Sequence, residues 1–249
     1  MKKGVSKYDI YLESIIKLNA SGMTTGEISK QIGIDSRRVS DILKKQGLKS
    51  NSKNENIKPK NTIQEQIILG SIIGDGCLFR SGKGEKCNYR LNVAHSLKQK
   101  QYMEFKYNSI KDMINSKLFI KKQFHNKAKK EYTCISFQSV ACPYYTELYN
   151  IWYKEGKKII PKEISQLDEL GLAIKFFDDG YKEHNGLAIS MCDYDEESIN
   201  NFMKILYKKF NISTNLHSNK NIYIPAKEKN SFKDIFIKYS TPDVLYKLG

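Results

Sequence analysis

The feature that most restricts the fold is a pair of apolar segments that end the same way. QEQIILGSIIGDG runs to Gly76 and DELGLAIKFFDDG runs to Gly180. Both read as apolar helices, the first too apolar for a surface helix, and both close on Asp-Gly just before an alternating, strand-like stretch. In the first, Gly70 and Gly74 stand four apart on one helical face. Each costs about 1 kcal/mol of helix propensity relative to alanine, a loss that close approach of a second backbone can offset. Asp75 and the Asp178–Asp179 pair fall at helix C-termini, where the macrodipole is negative and a carboxylate is disfavoured. A bound cation removes that conflict. One Asp-Gly alone would read as an ordinary left-handed helix cap; its recurrence in the same context argues against so bland a role.

Each segment heads a similar succession of elements. A hairpin follows the first, turning at Gly82-Lys83-Gly84, and another follows the second, turning at Asn185-Gly186. Helical patterns come next, over 98–114 and 196–210, then paired strands over 118–124 with 132–140 and 215–217 with 222–224, and a closing helix in each half. The order αββαββα, given twice, predicts an α+β fold of two pseudo-symmetric halves, 62–166 and 167–249, related by an approximate two-fold axis.

The preceding residues have a different pattern. Apolar residues recur at helical spacing from Ile10 to Leu18, and TTGEISKQIGIDSRRVSDILKKQGL follows. Thr24 with Glu27 makes a capping box, Gly33 marks a turn, and Asp35 or Ser36 starts a helix with Val39, Ile42 and Leu43 facing inwards. Helix, glycine turn, helix predicts a small all-α helix-turn-helix domain over 1–49. Such a unit places the first side chains of its second helix in a major groove. Here those are Ser36, Arg37, Arg38 and Ser40, with Lys44 nearer the DNA backbone. The polar stretch 50–61 reads as a flexible linker between this domain and the larger one over 62–249.

Charge is consistent with a polyanionic partner. Lys and Arg number 42 against 27 Asp and Glu, a net +15, although richness in Lys, Asn and Ile also fits simple codon bias. Phosphate contacts by such residues release counterions and strengthen binding. The five cysteines are odd in number and form no C-x-x-C pair, so neither a zinc site nor a disulfide framework is expected. With no apolar run of signal or membrane-spanning length, a soluble, cytoplasmic protein is expected; a monomer is expected as well.

ILGSIIGDG, ending at Gly76, and LAIKFFDDG, ending at Gly180, resemble the two motifs of single-chain LAGLIDADG homing endonucleases. The resemblance implies that the motif helices pack together at the centre of a DNA-binding saddle. It also implies that the last acidic residue of each, Asp75 and Asp179, binds a divalent cation, Mg²⁺ or Mn²⁺, and takes part in catalysis. KKIIP before the second motif and VLYKLG at residues 244–249 are similar to segments that supply active-site lysines in a mitochondrial family member, which makes Lys158 and Lys247 candidates. Ile174 and Asp178 stand where the first motif has Gly70 and Gly74, so an asymmetric helix interface is expected.

Twisted β-ribbons fit the major groove, and Arg, Lys and Asn read base edges there. The candidates in the first half are Arg80, Lys83, Lys86, Arg90, Asn92, Lys121, Lys122, Lys127 and Lys129; those in the second are Lys182, His184, Asn185 and Lys220. The expected function is site-specific cleavage of double-stranded DNA at a long site. An intron RNA maturase or a non-cleaving DNA-binding regulator on the same fold is the alternative, and a resolvase-like recombinase is disfavoured because nothing singles out a nucleophilic Ser or Tyr.

Overall fold

The computed structural model describes residues 9–51, 54–84, 87–125, 129–162, 164 and 166–249. The chain divides into two compact units, Met1–Asn56 and Ile57–Gly249.

In the smaller unit, α1 (Leu12–Ala20), α2 (Thr25–Ile32) and α3 (Ser36–Lys45) enclose Ile15, Ile28, Val39 and Leu43. The Thr24–Glu27 capping box forms, with Glu27 N donating to Thr24 Oγ1 and Thr24 N donating to Glu27 Oε2 at 2.9 Å. Gly33 ends α2 at φ +79°, the left-handed conformation that only glycine adopts without steric cost. The Asp35 carboxylate caps α3 through Arg37 N. Ser36, Arg37, Arg38, Ser40 and Lys44 are exposed on α3.

In the larger unit, α4 (Thr62–Ile73) leads into β1 (Cys77–Arg80) and β2 (Tyr89–Ser96), then α5 (Lys100–Ser109), β3 (Phe119–His125), β4 (Lys130–Gln138) and α6 (Pro143–Trp152). A short hairpin, β5 (Tyr153–Lys154) with β6 (Lys157–Lys158), connects to α7 (Glu169–Asp179). The second half continues with β7 (Gly180–Glu183), β8 (Gly186–Ser190), α8 (Glu196–Phe210), β9 (Asn215–Leu216), β10 (Asn221–Ile224) and α9 (Ala226–Phe236). The antiparallel sheets have matching strand orders, β1-β2-β4-β3 and β7-β8-β10-β9.

One core runs through both halves, and α4 and α7 are its axis: nine residues of each are buried. The glycines explain their closeness. A Cβ on Gly70 would lie 2.6 Å from both Gly171 O and Ile174 Cβ, and one on Gly74 would strike the Asp178 side chain. The larger residues of α7 thus fill the spaces left by the glycines of α4, the asymmetry that Ile174 and Asp178 implied.

One sequence expectation changes, the turn of the second hairpin, and the ends of the linker and the motif glycines gain detail. The 50–61 stretch is anchored at its ends: Asn51 Nδ2 donates to Asn19 O and Met23 O, Lys60 pairs with Asp112, and Asn61 caps α4. The second hairpin turns at His184-Asn185, with His184 at φ +49°, while Gly186 already pairs with Glu183 in β8. Glycine is needed there because a Cβ would strike Ile224 O. Gly76 and Gly180 are not left-handed caps, in keeping with the argument from their recurrence; a Cβ on Gly76 would lie 2.7 Å from Ser71 O, and one on Gly180 would strike Phe176 O.

Candidate active site

Asp75, Asp179 and Lys158 line one cleft of about 140 Å³ with Gly74, Lys175 and Ser190–Tyr194. The paired helices carry both carboxylates to this place. The Asp75 side chain is 41% exposed and the Asp179 side chain 25%. Asp178, beside Asp179 in sequence, is fully buried on the other side of the helix.

Each carboxylate has a different setting. Asp179 Oδ2 accepts from Lys175 Nζ at 2.6 Å, and that lysine also donates to Ser190 O and lies over the Tyr194 ring. Burial pushes the Asp179 carboxyl above its ordinary pKa; the Asp75 charge adds to the rise and Lys175 opposes it. Asp75 Oδ2 lies 3.3 Å from His95 Nδ1, and Asp75 N donates to Asp178 Oδ2 at 3.0 Å. Asp178 Oδ1 accepts from Lys106 Nζ at 2.6 Å and Tyr102 OH at 2.8 Å. Burial alone would raise the Asp178 pKa, but the Lys106 ammonium above all, with the Tyr102 hydroxyl, holds it below the usual carboxylate range.

The two candidate lysines cap the motif helices. Lys158 Nζ donates to Gly74 O at 2.6 Å, and Lys247 Nζ donates to Phe177 O and Asp178 O, both at 2.7 Å. Gly74 and Asp178 occupy matching positions, one residue before each carboxylate, so the two contacts are counterparts. A cation at a helix C-terminus satisfies free carbonyls and opposes the negative dipole end. Burial lowers the pKa of both lysines. Lys158 comes from β6 and Lys247 from a 3₁₀ turn at Leu245–Leu248.

Among the described residues, Asp75, His95 and Asp178 place ligand atoms within 4.8 Å of one another. This trio is a poor cation cage, because both Asp178 oxygens already accept hydrogen bonds from Lys106, Tyr102 and Asp75 N. Asp75 and Asp179 fit a hard cation better. They are partly open carboxylates in a common cleft, and burial, with a smaller contribution from the Asp75 charge, makes the ionised Asp179 costly in a way that a divalent cation would relieve.

Sequence reasoning missed His95, Tyr102, Lys106 and Lys175. Each left a signal. His95 alternates with Leu91 and Val93 on the buried face of β2; Lys106 continues the Tyr102–Met103 stripe of α5; Lys175 is a lone charge inside an apolar helix. A charge at a core position requires a partner.

The pleat sorts the basic strand residues. Arg90, Asn92 and Lys121 lie on the open face of the first sheet, where Arg90 pairs with Phe79 and Asn92 with Cys77. Arg80, Lys122 and Lys182 fall on the opposite, helix-side faces. Arg80 bonds Tyr89 OH, Lys122 pairs with Glu131, and Lys182 lies against Gly249. Lys83, Lys129, His184, Asn185 and Lys220 are exposed in turns, and Lys220 also donates to Tyr194 O. Lys86 and Lys127 lie outside the described residues. The open face of the second sheet is aromatic and polar, with Tyr181, Asn221 and Tyr223.

Two like αββαββα units in one chain, with paired helices that bring a carboxylate from each into a shared cleft, define a single-chain, pseudo-symmetric fold class. Residues 65–234 match the LAGLIDADG DNA endonuclease family, and the chain belongs to that family. It is 26% identical over 205 residues to the cytochrome b mRNA maturase bI2 of Debaryomyces hansenii, covering 77% of this chain and 76% of that protein. It is also 26% identical over 198 residues to a probable intron-encoded endonuclease 1 of Wickerhamomyces canadensis, covering 75% and 84%. The fold is similar to that of the homing endonuclease I-WcaI bound to its DNA recognition sequence, with a TM-score of 0.69 and 23% identity, covering 83% of this chain and 96% of that one. Among the described residues, no helix is long and apolar enough to cross a membrane.

Proposed function

We propose that this chain is a site-specific endonuclease that cuts both strands of duplex DNA, with Mg²⁺ or Mn²⁺ held by Asp75 and Asp179. The observation that carries this reading is the meeting of those two carboxylates with Lys158 in one cleft at the ends of the paired helices. When bound, the divalent cation supplies Lewis-acid stabilisation of charge on the phosphate. Asp75 and Asp179 would each hold a cation, from opposite halves, one for each strand. Lys158 fixes the end of α4 through Gly74 O and adds positive charge beside the scissile phosphate. Lys247, buried on two carbonyls, holds the end of α7 in register.

DNA lies across the open sheet faces, where Arg90, Asn92 and Lys121 read or hold one half-site and the Tyr181–Asn221–Tyr223 surface meets the other. The 1–49 domain adds a further contact through Ser36, Arg37, Arg38 and Ser40 in an adjacent major groove. Tethering raises affinity without changing the chemistry. Arg37→Ala with Arg38→Ala should therefore shorten the DNA footprint on one flank and leave the cut position unchanged; an unaltered footprint assigns that domain to another target.

The test is incubation of the full chain with a duplex library and Mg²⁺, followed by sequencing of cut ends. Recurrent ends at one long site support the reading; a chain that binds duplex but never cuts it overturns cleavage. The maturase named above favours a second function, RNA binding during splicing. Selective retention of a structured intron RNA over duplex DNA is the outcome that would favour it.

A further inference from the structure

A buried chain of polar groups ends on Asp75, and among the described residues it has no counterpart at Asp179. Lys106 is fully buried on α5, with Nζ 2.6 Å from Asp178 Oδ1 and 3.1 Å from His95 Nε2. An ammonium group only donates. His95 Nε2 is therefore the acceptor facing it, which leaves the ring proton on Nδ1. That nitrogen lies 3.3 Å from Asp75 Oδ2. Asp178 completes the arrangement by accepting from Asp75 N and Tyr102 OH. Asp75 is thus held at its backbone by Asp178, while His95 Nδ1 lies 3.3 Å from its carboxylate, and Lys106 contacts both Asp178 and His95. At Asp179 the neighbouring group is Lys175 from the preceding turn of the same helix.

We propose that His95 is a positioning residue for Asp75: its Nδ1–H engages Oδ2 and so presents Oδ1 to a divalent cation in the cleft. This rests on the reading of Asp75 as a cation ligand. Partners of this kind fix the orientation of a ligand, and their removal weakens metal binding by about 10–100-fold. The burial of His95 fits the role, since its ring is locked among Lys106, Asp178 and Tyr102. The cation at Asp75 should depend on His95, whereas the cation at Asp179 should not.

Two substitutions separate positioning from bulk. The Asn carboxamide nitrogen falls near the place of imidazole Nδ1, and that of Gln falls near Nε2. Mn²⁺ titration of the full chain, followed by the electron paramagnetic resonance of free Mn²⁺, should show one class of sites weakened about tenfold or more in His95→Gln. His95→Asn should stay close to the unaltered chain. On a cleavable duplex, His95→Gln should slow one strand and spare the other, so that nicked DNA accumulates; a purely structural defect slows both. Equal Mn²⁺ affinities in folded His95→Asn and His95→Gln, or equal slowing of both strands, overturns the proposal. Should either variant fail to fold, long-range ¹H–¹⁵N spectra of the unaltered chain decide: an Nδ1–H tautomer at His95 supports the proposal and an Nε2–H tautomer overturns it. Absence of Mn²⁺ binding by the unaltered chain would overturn the metal-dependent reading and this proposal with it. Binding that His95→Gln leaves intact removes only the proposal.

Discussion

In the first half the motif helix ends at Ile73, two residues before its carboxylate; in the second, Asp179 is itself the last helical residue. Gly74 lets the chain leave the helix and makes room for Asp178, whose buried carboxylate then ties down the backbone of Asp75. The second half has no such gap, and Asp179 relies on Lys175 one helical turn earlier. Both helix ends are nonetheless capped by a lysine, one from a two-stranded hairpin and one from a 3₁₀ turn. Duplicated folds can therefore keep an electrostatic requirement while changing the local structure that meets it. The requirement here is positive charge at a helix end that carries a carboxylate.

The largest test of the comparison concerns the carboxylates. Asp75→Asn and Asp179→Asn should each reduce double-strand cleavage on the order of a thousandfold, more than the loss from removing a supporting group. Duplex binding should remain within a few-fold of the unaltered chain, as read by gel shift. Full cleavage by either variant breaks the functional equivalence of the two halves.

Next come the buried lysines. Lys106→Met leaves the fully buried Asp178 charge without its ammonium partner and should cost about 3–5 kcal/mol of stability. Lys175→Met leaves Asp179, which is 25% exposed and reaches water, so the cost should stay near 1.5–3 kcal/mol. Denaturant titration measures both; equal losses would mean that the two halves bury their charges alike.

The glycines should differ more modestly. Gly70→Ala places a methyl group against Gly171 O and Ile174 Cβ and should cost about 1–3 kcal/mol. Gly171→Ala meets side-chain atoms of Gln66 and Leu167 and no backbone, and should cost less, chiefly through the Asp168 N hydrogen bond that Gln66 Oε1 accepts. A reversed order would place the rigid contact on α7 instead of α4.

The smallest effect is set by pH. Asp178 has a lowered folded pKa, so its contribution to stability is present above the ordinary carboxylate value of about 4 and is lost as pH falls through the lowered one. Asp179 has a raised pKa, so its ionisation opposes folding once pH rises above the ordinary value. Mg²⁺ should therefore raise the Tm at pH 7 by a few degrees, about 2–4 °C per kcal/mol, and lose that effect as pH falls through the Asp179 pKa. Asp179→Asn should raise the cation-free Tm and shrink the Mg²⁺ increment. A Tm unmoved by Mg²⁺ in the unaltered chain would argue against cation binding at this pair.

Much of the fold was legible because its signals are local. Helical spacing, strand alternation and two Asp-Gly endings are written within stretches of a dozen residues, and they predicted the two matching halves, while the central helix pair was implied by the family resemblance. The same alternation, read strand by strand, could have placed Lys182 on the Leu187 face and Lys122 opposite Lys121. Treating basic residues as one set hid that division. The β5–β6 hairpin was missed because two-residue strands are too short to show a period, yet it carries Lys158.

By itself the sequence determined that two apolar helices end in carboxylates, that each heads a similar unit, and that glycine spacing permits their close approach. The resemblance picks Asp179 from the Asp178–Asp179 pair; only the tertiary structure decided that Asp178 is buried and that His95, Tyr102 and Lys106 converge on it. The physical reason is distance along the chain. Asp75 N and Asp178 Oδ2 are 103 residues apart, and Lys106 and Asp178 are 72 apart. Local periodicity fixes which way a side chain faces, whereas its partner is chosen by the packing of elements that no local pattern relates.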